Sequence, residues 1–173
     1  MRIGCMAALI IVNFVLQSTV LPHVAILGVQ PDTAIVLIVS YGLLRGDVEG
    51  ALFGFFTGLA QDLFASHFIG LYALLGFLVG FAAGKPFKDY FKDNFFLPFM
   101  MVVVATLAHQ FLFYVFAFLF RGRVDFWFYL RAIIVPVTIY TASIAIPLYS
   151  LLFVINAKIE NFERYRRNMF DKD

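Results

Sequence analysis

Asp62 closes the stretch GDVEGALFGFFTGLAQD, residues 46 to 62, in which Gly46, Gly50, Gly54 and Gly58 recur at every fourth position and the next such step falls on the acid. An acid inside so apolar a run is costly, and by default it points to function. Asp62 sits near the outer end of its segment, so a solvated helix end or a bond to a neighbouring helix stands beside that reading. Gln61 must likewise face protein or water. His23, His67 and His109 raise metal or proton-relay chemistry, the first two on the same side as Asp62. No HxxxH, HExxH or paired-cysteine spacing accompanies them, which argues against a metal site. His109, with Gln110, falls in mid-segment, where it either hydrogen-bonds another helix or lines a cavity. There is no nucleophile elbow, no phosphate-binding loop and no serine with a base motif, so the chain shows no equipment for catalysis and calls for no cofactor.

The elements that must position these groups follow from composition. The 173 residues are 62% hydrophobic and 14% charged, with 23 phenylalanines, far from a soluble domain. Charges gather at Arg2, at Arg45 to Glu49, at Lys85 to Asp93, at Arg121 to Arg131 and from Lys158 onward. The apolar runs between them suit helices crossing a hydrocarbon layer of ~30 Å, since lipid forces the backbone to bond to itself. The expectation is an all-α integral membrane protein, a compact bundle of six spans over about 3–20, 31–44, 48–64, 68–83, 95–120 and 129–156. A short basic tail, 157–173, completes a single domain. Arg2 ahead of an apolar stretch is also how a signal peptide opens, but no small-x-small cleavage site follows, and Asn13 and Gln17 interrupt the run. The single cysteine, Cys5, excludes an internal disulfide.

Pro31 and Asp32 mark a helix start: proline fits the first turn and a carboxylate suits the positive end of the helix dipole. Asp47 and Glu49 are explained in the same way at the start of the third span. The preceding segment, VLPHVAILGVQPD, is broken by Pro22, Gly28 and Pro31 and reads as an outer loop or short re-entrant piece. Pro136 and Pro147 mark kinks in the sixth span.

Orientation comes from the basic residues. With both termini cytoplasmic, the inner side collects Arg2, Arg45, Lys85, Lys88, Lys92, Lys158, Arg164, Arg166, Arg167 and Lys172, and the outer side only Arg121, Arg123 and Arg131. The tail KIENFERYRRNMF reads as a basic helix near the inner leaflet, where anionic lipid contributes ~1 kcal/mol per basic residue.

In lipid, helices associate through close backbone approach rather than by burying leucine, and small residues at every fourth position permit it. A second ladder, Gly76, Gly80 and Gly84, falls on the fourth span. The two ladders either pack the bundle internally or present part of their stripe as a docking face for a partner's membrane helix.

The stretch PHVAILGVQPDTAIVLIVSYGLLRGDVEGALFGFFTGLAQDLFASHFIGLYALLGFLVGFAAG resembles the core of the MreD family of rod-shape-determining membrane proteins. The shared features are an LP-containing loop, a PD helix start, an LRG turn, the EGALFGFFTGLAQDLF helix and a GLYAL helix start. Pro31, Asp32, Arg45, Gly46, Glu49, Gly50, Gly54, Gly58, Asp62, Gly70 and Tyr72 match positions of that pattern. The resemblance implies a six-helix component of the bacterial inner membrane, working beside the bitopic protein MreC, the actin-like MreB, and the RodA glycosyltransferase with its transpeptidase. In helix number and size the family is also similar to the S components of energy-coupling-factor vitamin transporters, a likeness of fold that carries no function. It implies further that MreC meets this chain through its membrane helix and adjoining stretch, and that the loop KPFKDYFKD and the basic tail face MreB or anionic lipid.

The sequence thus reads as a non-enzymatic scaffold of wall elongation that helps maintain rod shape, with no nucleic-acid partner. The competing class is a small-solute binding subunit of a transporter, which would need His23, Asp62 and His67 to converge on a polar pocket at the outer face. An enzyme acting on a lipid is the weakest reading.

Overall fold

The computed structural model describes residues 2–25, 29–65, 70–85, 96–121 and 126–170. Its helices are α1 (Arg2–Val15), α2 (Thr33–Arg45), α3 (Asp47–Ala65), α4 (Leu71–Gly84), α5 (Phe96–Arg121), α6 (Phe126–Tyr129) and α7 (Val135–Phe170), and no strand element occurs among the described residues. Met6–Val24, Pro98–Phe116 and Trp127–Lys158 are long and apolar enough to cross a membrane. The helices α2 and α4 are apolar but shorter, and α3 carries acids near both of its ends.

Two of these runs contain the same local device. A wide π turn over Leu16–Val20 follows α1, and another over Leu130–Ile134 precedes α7. In each, the next residue donates its N–H five positions back, Leu21 to the Leu16 carbonyl and Val135 to the Leu130 carbonyl. Each is then followed at once by a proline, Pro22 or Pro136. Proline has no N–H and its ring collides with the carbonyl four residues earlier, so a locally widened turn lets the helical path continue through it. The first run therefore does not stop at Val20 but continues through the tight turn Leu21–Val24, where the sequence reads as an outer loop or short re-entrant piece. The last run extends past Asn156 to Phe170 without a break. Arg164, Arg166 and Arg167 consequently lie in α7, in the stretch that the sequence reads as a basic helix.

At the centre stands α2, with every residue from Thr33 to Leu43 buried. A helix that is apolar on all sides is one enclosed by others, and α3, α4, α5 and α7 all pack on it. Phe53 of α3, fully buried, stacks on Tyr41 of α2 with ring centroids 4.5 Å apart. Four hydroxyls in this interior return to their own helical run: Ser40 donates to the Val36 carbonyl, Thr57 to Phe53, Thr106 to Val102 and Thr138 to Ile134. Such bonds four residues back leave no hydroxyl to be satisfied by lipid.

Asp32 caps α2, its Oδ1 accepting the Ile35 N–H at 3.2 Å, and the helix begins at Thr33, so Pro31, expected in the first turn, stands just before the cap. It ends at Gly46, whose φ of 100° lies in the region that favours glycine. That conformation lets α3 begin at the next residue, so α2 and α3 form a hairpin with a one-residue turn. Asp47 and Glu49 lie in the first turn of α3.

Candidate functional site

The helices α3 and α4 run antiparallel along a seam built from both glycine ladders. A methyl group placed on Gly54 would strike the Gly76 carbonyl, one on Gly80 would strike the Gly50 carbonyl, and one on Gly58 would strike the backbone of Tyr72. At the hairpin end, Gly84 faces the backbone of Gly46 and Asp47 in the same way. Each step of four along α3 is matched by a step of four back along α4, so the backbones stay in contact over the length of the crossing. Gly42, on α2, belongs to the same set. A methyl on Gly50 would lie 2.7 Å from the Gly42 Cα, and one on Gly42 would lie 2.9 Å from the Gly80 oxygen. Gly42 stands four residues ahead of Gly46, but on the other helix of the hairpin, so its place in the seam is set by the turn and not by the spacing.

One more step along the seam reaches Asp62. It is 2% exposed, so it is not a solvated helix end. Its Oδ1 accepts the Tyr72 N–H at 3.1 Å and its Oδ2 accepts the Ala73 N–H at 2.9 Å. These are amides of the first turn of α4, which opens from Gly70 at φ 97° with no side chain of its own to cap it. A carboxylate from the neighbouring helix thus occupies the place of the missing cap, with its charge at the positive end of the α4 dipole. The helix starts at Leu71, later than the 68 expected from the sequence, and this is what brings those amides to Asp62.

The polar groups on the first run find partners on other helices. The Asn13 side-chain oxygen, buried, accepts the Thr33 hydroxyl at 2.8 Å. Gln61 Nε2 donates to Gln17 Oε1 at 3.1 Å, linking α3 to the π turn after α1. Beyond this pair opens a polar cavity of about 410 Å³ lined by Phe14, Gln17, Ser18, Gln30, Pro31, Asp32, Gln61, Tyr72, Gln110 and Val137. Of its polar lining, Asp32, Gln61, Gln110 and Tyr72 stand out in the sequence, whereas Gln17, Ser18 and Gln30 carry no functional signal there. The lining residues together come from α1 and the π turn after it, from the segment leading into α2, and from α3, α4, α5 and α7, and no local spacing announces them.

His109 lies behind this wall, 4% exposed, with Nδ1 at 3.9 Å from Asp32 Oδ2. That separation is beyond hydrogen-bond reach. The Asp32 backbone N–H donates to Thr141 Oγ1 at 3.0 Å, so the start of α2 is tied to α7 and faces α5. The Tyr72 ring packs between His109 and Phe113 of α5, with centroids 5.7 and 5.1 Å away.

The convergence of His23, Asp62 and His67 on an outer pocket is corrected by this geometry. Asp62 does not line the cavity, because both its oxygens cap α4. His23 is exposed, its Nδ1 2.8 Å from the Thr19 carbonyl oxygen, and His67 lies outside the described residues. Pro86, Lys88 and Lys92, with the rest of the KPFKDYFKD loop after Lys85, also lie outside them. Lys85 is exposed beside the end of α4, its Nζ 5.0 Å from the centroid of the Phe81 ring. Among the described residues, no group of three or more His, Cys, Asp or Glu side chains is placed to hold a metal ion.

A second cavity, of about 260 Å³, lies between α1, α2 and α7 and is almost wholly apolar. The outward faces of α3 and α4 carry Leu52, Phe55, Phe56, Phe77, Leu78 and Phe81, all exposed. Their glycine faces are turned inward against each other.

Compared with known proteins, the chain matches no curated protein and no solved structure. It does match the model of a protein family, MreD, the rod shape-determining protein, over residues 2–159. That match takes in the hairpin, the glycine seam, the Asp62 cap and the cavity wall, and the chain therefore belongs to the MreD family of rod shape-determining proteins.

Proposed function

We propose that the chain is a non-enzymatic scaffold of the wall-elongation machinery, a six-span protein of the bacterial cytoplasmic membrane with both termini inside. In this reading it holds the single membrane helix of MreC and, through MreC, gathers MreB, RodA and its transpeptidase. The observation that carries it is the disposition of α3 and α4. Their small residues lock the two helices together, which leaves a rigid, apolar and aromatic outer surface at Phe55, Phe56, Phe77 and Phe81. A partner helix in lipid is recognised by shape on such a surface rather than by hydrophobicity, because acyl chains are equally apolar. The glycine ladders support the interface indirectly, by fixing the surface that the partner meets. The basic residues of α7 and Lys85 serve the inner side, through anionic lipid or MreB.

The test is photo-crosslinking in living cells of the native host, with a reactive amino acid at Phe56 or Phe77 and, for comparison, at buried Phe53. Capture of MreC from the outward positions and not from Phe53 is the expected result. Capture instead of a transporter's coupling protein and its ATPases would replace the scaffold with the solute-binding subunit, the reading on whose side the polar cavity stands.

A further inference from the structure

The polar cavity has a wall chemistry of its own, independent of the scaffold reading. The Gln17–Gln61 bond uses one carbonyl and one amide nitrogen, and the complementary halves of both side chains remain for another partner. Among the described residues, the side chains of Gln30 and Gln110 and the Tyr72 hydroxyl make no hydrogen bond. A side-chain amide offers donors and an acceptor together, and a phenol offers one of each. Gln30 is exposed and Gln110 and Tyr72 are half-buried, so these groups are open to a partner that enters the cavity.

Charge narrows the ligand. Among the described residues, no lysine, arginine or histidine lines the cavity, and its one carboxylate is Asp32, so none of them would compensate an anion. Asp32 is itself committed as the cap of α2 through Oδ1. A wall of amides and a phenol, with the rings of Tyr72 and Phe14 among them, complements a ligand that both donates and accepts at several points and has apolar ring faces. A volume of about 410 Å³ falls within the ~300–1,000 Å³ of small-molecule sites.

We infer that this cavity binds a neutral group of sugar size bearing hydroxyls and an amide, presented either as a free solute or as the headgroup of a lipid. Gln110 and Gln30 hydrogen-bond it, Tyr72 contributes its hydroxyl and ring, and Asp32 orients one of its donors.

The experiment uses the full-length protein in phosphatidylcholine nanodiscs. One arm titrates free N-acetylglucosamine calorimetrically, and the other follows, by native mass spectrometry, retention of a glycolipid with a neutral monosaccharide headgroup. Saturable binding in either arm is expected and names the source. Gln110→Leu and Tyr72→Phe should each weaken it roughly fivefold to tenfold, the loss of about one hydrogen bond, while the melting temperature stays near that of the wild type. Tyr72→Phe removes a single oxygen and keeps the ring packing, so it remains informative if Gln110→Leu fails to fold. Binding in neither arm would overturn the inference and reduce the cavity to a hydrated vestibule. Equal affinity in wild type and both variants, or competition by free glutamate at the same concentration, would overturn it as well.

Discussion

Gly54 and Gly76 meet backbone to backbone, such that a methyl group on either would strike the carbonyl of the other. Neither helix can yield without shifting its whole axis, because the next glycine pairs along the seam are equally close. Gly54→Ala should therefore destabilise the protein by ~1–3 kcal/mol or more, the range for overpacking a close-packed interior, and Gly54→Leu should prevent the crossing. Gly4 on exposed α1 has nothing within 4 Å of an added methyl, so Gly4→Ala should be neutral or slightly stabilising. Thermal unfolding in detergent, read beside cell shape in the native host, checks both. Wild-type stability and rod shape with Gly54→Leu, at full membrane abundance, would count against a packing-critical seam.

Asp62 and the first amides of α4 form the second joint of the same hairpin. Asp62→Ala removes the acceptor of two buried N–H groups and should cost ~1–3 kcal/mol. Asp62→Asn keeps one acceptor oxygen and loses the charge at the dipole, so it should fall between the two. Amide hydrogen exchange localises the effect: protection of Tyr72 and Ala73 should drop in both variants, while that of central α2 changes little. Unchanged exchange at these two amides would mean that the carboxylate does not cap α4.

How far such features can be read from the sequence depends on the distance between cause and effect along the chain. The α2 start was legible because Pro31, Asp32 and the amide of Ile35 are neighbours. The ladders were legible as helix-packing surfaces because their spacing is local, but their mutual register was not, since it depends on where Gly46 and Gly70 turn the chain. For Asp62 a bond to a neighbouring helix was among the sequence readings and is what the structure shows, but which amides it meets was not legible, because they belong to a helix whose start is fixed by the left-handed Gly70. Gln17 and Gln61, or Asn13 and Thr33, are paired only by the tertiary fold, and nothing in their immediate neighbours selects one partner over another. Pro22 and Pro136 stand at irregular turns, whereas α7 runs through Pro147 as α-helix, so whether the chain kinks, loops, widens into a π turn or continues depends on the packing of the turn before each proline.

The pair formed by Gln17 and Gln61 is a test of coupling across helices. Gln17→Leu or Gln61→Leu alone should cost ~1 kcal/mol, because each leaves a half-buried amide without its partner, whereas the double variant should recover part of that loss. A double-mutant cycle on unfolding free energy in detergent gives the coupling directly. Strict additivity would show that the two amides are satisfied separately by water.

Asp32 carries three relationships at once, to Ile35, Thr141 and His109, and substitutions separate them. Asparagine caps a helix about as well as aspartate, and the backbone bond to Thr141 does not involve the side chain. Asp32→Asn should therefore hold α2 near wild-type stability if capping is the whole role of the side chain, while Asp32→Ala should lose ~1 kcal/mol. The carboxylate oxygen facing His109 Nδ1 at 3.9 Å is the element that asparagine does not reproduce. Repeating both substitutions in a His109→Phe background isolates it: a cost of Asp32→Asn that disappears there belongs to the aspartate–histidine pair, and one that persists belongs to the cap. The expected outcome is a small cost that disappears, because the two groups face each other in an interior where even a long electrostatic contact is weakly screened.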